Sequence, residues 1–151
     1  MQIGVLCTSK AISPRDLAFL TDAWDRQAKE FADDWGVTYT PVIYYSDVSE
    51  LPIATGDVRL LTISDTIDAL GALGYHDNVL GLIFARVRAF NNAEAAPHEI
   101  CEEEGDPGCD LWMPMGDGRE VAKEACDPVE ADSYPQVAEV GGDRRQILVS
   151  N

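Results

Sequence analysis

The sequence predicts an α+β domain: a long amphipathic helix near the N-terminus, a set of short β-rich runs, then an acidic helix and a loop-rich C-terminal part. Three observations carry this. Apolar residues recur at helical spacing from Leu17 to Trp35. β-Branched and aromatic residues concentrate in 37–45, 58–63 and 80–87. Glycine and proline crowd the chain after Gly105. With 151 residues, 46% of them hydrophobic, the chain has the length for one domain with a core. That domain, 1–151, divides into a helix-and-sheet part over 13–104 and a loop-rich part over 105–151.

Taken in order, Ile3 to Cys7 reads as a short strand or extended lead-in. No basic region precedes it, so it does not read as a secretory signal. Ser13-Pro14-Arg15-Asp16 is a helix start, with serine as N-cap, proline at the first helical position and a carboxylate near the positive helix end. The stripe Leu17, Leu20, Trp24, Ala28, Phe31, Trp35 keeps to one helical face, and both tryptophans read as core. Gly36 sits where a C-terminal glycine belongs, which predicts a helix over 14–35. Val37 to Tyr45 reads as a strand that Pro41, lacking a ladder donor, pushes to a sheet edge or a bulge. Val58 to Ile63 and Leu80 to Val87 are the next strands, and 71–78 is a glycine-bearing connection between them. The stretch 97–105 predicts a short helix ended by Gly105, after which the chain is expected to be irregular.

Charge narrows the function classes. There are 27 acidic residues against 11 basic ones, a net charge of −16 and a pI near 4.2. Such a surface repels phosphate backbones, which argues against nucleic-acid binding. No run of about 18 apolar residues is present, so no membrane span is expected. Aspartate outnumbers glutamate sixteen to eleven and only three lysines occur. That is the composition of a halophilic protein kept soluble in concentrated salt, and a GC-rich genome produces the same bias. Among the four cysteines, one bridge such as Cys101–Cys109 or Cys109–Cys126 is compatible with the spacing.

The segment that could carry chemistry is His98-Glu99-Ile100-Cys101-Glu102. Positions i and i+4 share a helix face, so His98 and Glu102 can bind one metal ion, and Glu99 can accept a proton from water beside it. Zinc takes imidazole nitrogen and carboxylate oxygen, and a catalytic site needs a third ligand. Glu124 to Tyr134 is a second acidic cluster in which Asp127 and Glu130 are the best donors for a returning ligand. In a glutamate-rich chain the same residues also fit a solvated acidic helix and a solvated loop. His76 is the only other histidine, so a three-histidine site is excluded within this chain.

Four segments in order resemble a family of small zincin-like proteins found in bacterial and tailed-virus genomes. They are Asp33-Asp34-Trp35-Gly36; Ala72-Leu73-Gly74-Tyr75-His76; His98 to Glu102 with Asp106-Pro107; and Glu124 to Tyr134 followed by Val149-Ser150-Asn151. Cys101 and Glu103 stand where leucine and methionine are expected in that family, and Pro97 replaces a small polar residue. The resemblance implies a zincin-like fold, with the long helix on a small mixed sheet, Leu80–Val87 as an antiparallel edge strand, and a metal-site helix of the HExxE type. It implies zinc held by His98 and Glu102 with Asp127 or Glu130, Glu99 as general base, and His76 and Tyr75 near the substrate or behind the ligands.

Two functions follow. One is a zinc-dependent peptidase acting on a peptide or protein substrate through metal-activated water. The other is a structural capsid or tail component of a tailed virus that keeps a non-catalytic zincin fold and contacts other virion proteins. Either is compatible with a homo-oligomer and with a cytoplasmic or virion-associated chain.

Overall fold

The computed structural model describes residues 1–52, 56–68, 72–77, 82–87, 90, 93–106, 112–114, 116–118, 120–122 and 132–150. Among them the chain is a mixed α+β fold. β1 (Gln2–Cys7) leads into α1 (Pro14–Trp35), followed by β2 (Val42–Tyr44), β3 (Val58–Ser64), β4 (Gly74–Asp77) and β5 (Leu82–Arg86). Then come α2 (Ala95–Gly105), β6 (Trp112–Pro114), β7 (Glu120–Ala122), β8 (Ser133–Val140) and β9 (Asp143–Ser150).

α1 has the predicted bounds because its ends are written locally. Ser13 accepts from the Asp16 N–H, Pro14 opens the helix, and Gly36 closes it at φ 68° in the left-handed region. Its stripe divides, however. Leu17, Leu20, Trp24 and Ala28 are buried, while Trp35 is 52% exposed and stacks on Phe31 with ring centroids 5.4 Å apart. Trp35 is therefore not core, because the helix outruns the layer it packs on. Trp24 is fully buried, and truncating it to alanine would cost about 3–5 kcal/mol.

The main sheet has the order β2-β1-β3-β5-β4. β1 pairs in parallel with β2 and β3, β3 in parallel with β5, and β4 runs antiparallel to β5. Ile3, Val5, Val42, Leu61, Ile63, Ile83 and Ala85 are its buried hydrophobic residues, in one cluster with Leu17, Leu20, Trp24 and Ile100 of the helices. Alternation along each strand puts them on a single face.

Four expectations change. The strand expected over 37–45 is only Val42–Tyr44, beginning after Pro41, whose carbonyl accepts from the Ile3 N–H at 2.8 Å. β2 does lie at the sheet edge. The connection over 71–78 contains β4, and β4 rather than Leu80–Val87 is the antiparallel edge strand; β5 is internal. Among the described residues after 105, strands replace the expected irregular chain. β8 and β9 form a long hairpin closed by Gly141 and Gly142, at φ 61° and 87°. A two-residue turn with both φ positive matches the twist of its strands, and glycine adopts it without strain. The hairpin packs on α1, adds Ala138, Ile147 and Val149 to the core, and is pinned there by Arg145, which donates to Asp16 Oδ1 at 2.7 Å and lies 4.3 Å above the Phe19 ring.

Candidate metal centre

α2 builds the site. Pro97 stands in its first turn, where a missing N–H costs nothing because those donors have no helical partner. The helix ends where the Asp106 N–H bonds to the Glu102 carbonyl at 2.7 Å. α2 packs against β4, β5, α1 and β9, so every residue from Ala96 to Glu104 is buried. The solvated acidic helix is thereby excluded: His98, Glu99 and Glu102 are 8%, 6% and 6% exposed. Burying carboxylates without compensation costs several kcal/mol each, so their surroundings must answer them.

β4 supplies the answering group. Gly74 and His76 are two apart and share one strand face, which is turned to α2. A Cβ at Gly74 would stand 2.6 Å from Glu99 Oε1, so glycine is what lets the Glu99 side chain lie against the strand. His76 Nδ1 is 3.5 Å from Glu99 Oε2 and 3.8 Å from Glu102 Oε2, while His98 Nε2 is 3.2 Å from Glu102 Oε1. Glu102 thus lies between two imidazoles.

His76, Glu99 and Glu102 each place one donor atom within 4.8 Å of the others. Donors at about 2.0–2.2 Å from a tetrahedral zinc stand roughly 3.3–3.6 Å apart, close to these separations. The donor set is the imidazole and carboxylate mixture that zinc accepts. His76 turns Nδ1 to both carboxylates, and Glu102 Oε1 is buried and makes no hydrogen bond among the described residues. Residues, spacing and the unsatisfied oxygen fit a divalent ion.

The charges are strongly perturbed. Hydrogen bonding to Glu99 pushes the His76 pKa up, against its burial. Burial pushes Glu99 up, and the contact with His76 opposes it. Glu103 and Glu104 are both raised by burial to about 7. Arg59, ion-paired with Glu103, opposes the first shift. The Thr40 N–H, donating to Glu104 Oε1 at 2.7 Å, opposes the second.

Of the residues singled out from sequence, the structure brings together His98, Glu99, Glu102 and His76. Asp127 and Glu130 lie outside the described residues, as do Cys109 and Cys126. Tyr75 faces away from α2, stacked on Phe84 at 4.8 Å with its hydroxyl donating to Asp68 Oδ1 at 2.5 Å. Sequence reasoning missed the buried Glu103 and Glu104; the run Glu102-Glu103-Glu104 was the available signal, and it read as solvated. No protein-family model, curated protein or solved structure matches the chain.

Proposed function

We propose that this chain is a zinc-dependent hydrolase that cleaves a peptide bond. The observation that carries the reading is the buried group His76, Glu99, Glu102, joined by His98 on the other oxygen of Glu102. In this reading His76 and Glu102 bind zinc, and His98, 3.2 Å from the other oxygen of Glu102, would turn in as the third ligand, leaving one position for water. Zinc there would lower the pKa of water toward about 7 and polarise the carbonyl under attack.

Glu99 takes the proton. Its Oε2 faces His76, and its raised pKa brings it nearer the neutral range in which a general base works. The substrate is an extended peptide that adds to β4, the terminal strand of the sheet order and the one bearing His76. The test is Glu99→Gln, assayed with a quenched fluorescent peptide library. The variant should hold zinc as the wild type does and lose turnover by a factor of about 10² or more. A variant that loses its zinc would make Glu99 a ligand, and a wild type loaded with zinc but inert on peptides would refute the peptidase reading.

A further inference from the structure

His76 presents one ring nitrogen to Glu99 and Glu102, and the other, Nε2, is buried and makes no hydrogen bond among the described residues. A ring N–H left so inside a protein costs about 1–3 kcal/mol, which asks for an acceptor. Glu103 offers one. It follows Glu99 by four residues, so both lie on the face of α2 turned to β4. Leu61, Ile83 and His76 form one row across β3, β5 and β4, and Arg59 precedes Leu61 by two residues on the same sheet face. Arg59 engages Glu103 Oε1 from β3, and His76 approaches from β4, near enough for the two charges to act on each other. The Glu103 side chain is 2% exposed, and its Oε2 is buried without a hydrogen bond among the described residues. A donor and an acceptor lacking partners are thus buried in the same helix–sheet interface.

We infer that Glu103 is a positioning residue of the metal centre: anchored by Arg59, it accepts the His76 Nε2–H, directly or through one water, and so turns the Nδ1 lone pair to zinc. The inference rests on the reading of His76 as a zinc ligand. A neutral imidazole carries one proton, and an acceptor at one nitrogen fixes which nitrogen is free to bind metal. A carboxylate in that place also makes the imidazole a stronger donor and holds its ring plane. A buried carboxylate needs a compensating charge, and Arg59 supplies it.

The test is the zinc affinity of the full chain, by competition with a chromophoric chelator at pH 8 and about 0.5 M NaCl, which screens long-range charge effects. Glu103→Met should weaken zinc binding about 10–100-fold. The double variant of Arg59→Met with Glu103→Met leaves neither charge unpaired and serves if the single variant fails to fold. It should bind as weakly, whereas a Glu103 that only balances Arg59 would let it bind zinc as the wild type does. Glu104→Gln removes a neighbouring buried carboxylate held on the Thr40 N–H, and should leave zinc binding within about threefold. Long-range heteronuclear NMR of the zinc-loaded wild type should find the His76 proton on Nε2. Wild-type affinity in the double variant, an equal loss in Glu104→Gln, or the proton on Nδ1 would overturn the role of Glu103 and leave the metal centre standing. A wild type that takes up no zinc would overturn both.

Discussion

Gly74→Ala is the sharpest perturbation of the geometry at the centre. The added methyl would meet Glu99 Oε1 at 2.6 Å, Cγ at 2.7 Å and Cδ at 3.0 Å. Comfortable carbon contacts lie at about 3.5–4.0 Å, so the Glu99 side chain must retreat by roughly 1 Å. Retreat is obstructed, because Glu99 is 6% exposed and the clash reaches Cγ rather than only the carboxylate tip. Overpacking of this kind costs about 1–3 kcal/mol. For a chain of this length that is a fall in Tm of roughly 2–12 °C. The assay is urea unfolding of four proteins: wild type, Gly74→Ala, Glu99→Asp and the double variant. Aspartate is one methylene shorter and withdraws from the methyl, so in its background Gly74→Ala should cost less than about 0.5 kcal/mol. A coupling energy of about 0.5 kcal/mol or more measures the contact. Strict additivity, or a Gly74→Ala variant as stable as wild type, would refute the placement of Glu99 against β4.

Three further outcomes are expected. The metal-free chain should melt at a lower temperature at pH 8 than at pH 5.5. Glu99, Glu103 and Glu104 have folded pKa values raised above the ordinary 4.5, to about 7 for the last two, and His76 is raised above 6.5. Groups raised on folding stabilise fully below their unfolded pKa and lose that contribution as pH rises through the folded one. Zinc should reverse the order, since its ligands must be deprotonated, and chelated and loaded melts at both pH values decide it. With a net charge of −16, raising NaCl from about 0.1 to about 2 M should raise Tm as screening shortens the range of self-repulsion, and a flat or falling Tm would contradict this. Ser13→Ala should cost about 1 kcal/mol by removing the hydroxyl that accepts from the Asp16 N–H, read as a drop in Tm of roughly 2–4 °C with bound zinc unchanged.

How far the sequence revealed the fold depended on where each instruction was written. α1 was legible to the residue because Ser13, Pro14 and Gly36 act on their own neighbours. β4 was not, because Gly74-Tyr75-His76-Asp77 has little intrinsic strand character and is a strand only through its partner β5. The β8–β9 hairpin had a readable signal, Gly141-Gly142 between β-capable runs, obscured by the many prolines and glycines before it.

The site was legible in part for the same reason. The pairing of His98 with Glu102 follows from helical spacing and needs no tertiary information. The burial of Glu102, Glu103 and Glu104 does not follow, because it arises from four separate elements closing around α2. His76 joins the group through a strand that spacing alone could not place.

The most direct measurement is zinc content by elemental analysis of purified wild type, His76→Ala and His98→Ala, each checked for native circular dichroism. The account predicts about one zinc per wild-type chain and loss of it in both folded variants. Zinc absent from wild type after incubation with the ion, or retained in folded His76→Ala, would contradict it and leave a metal-free, non-catalytic fold as the better description.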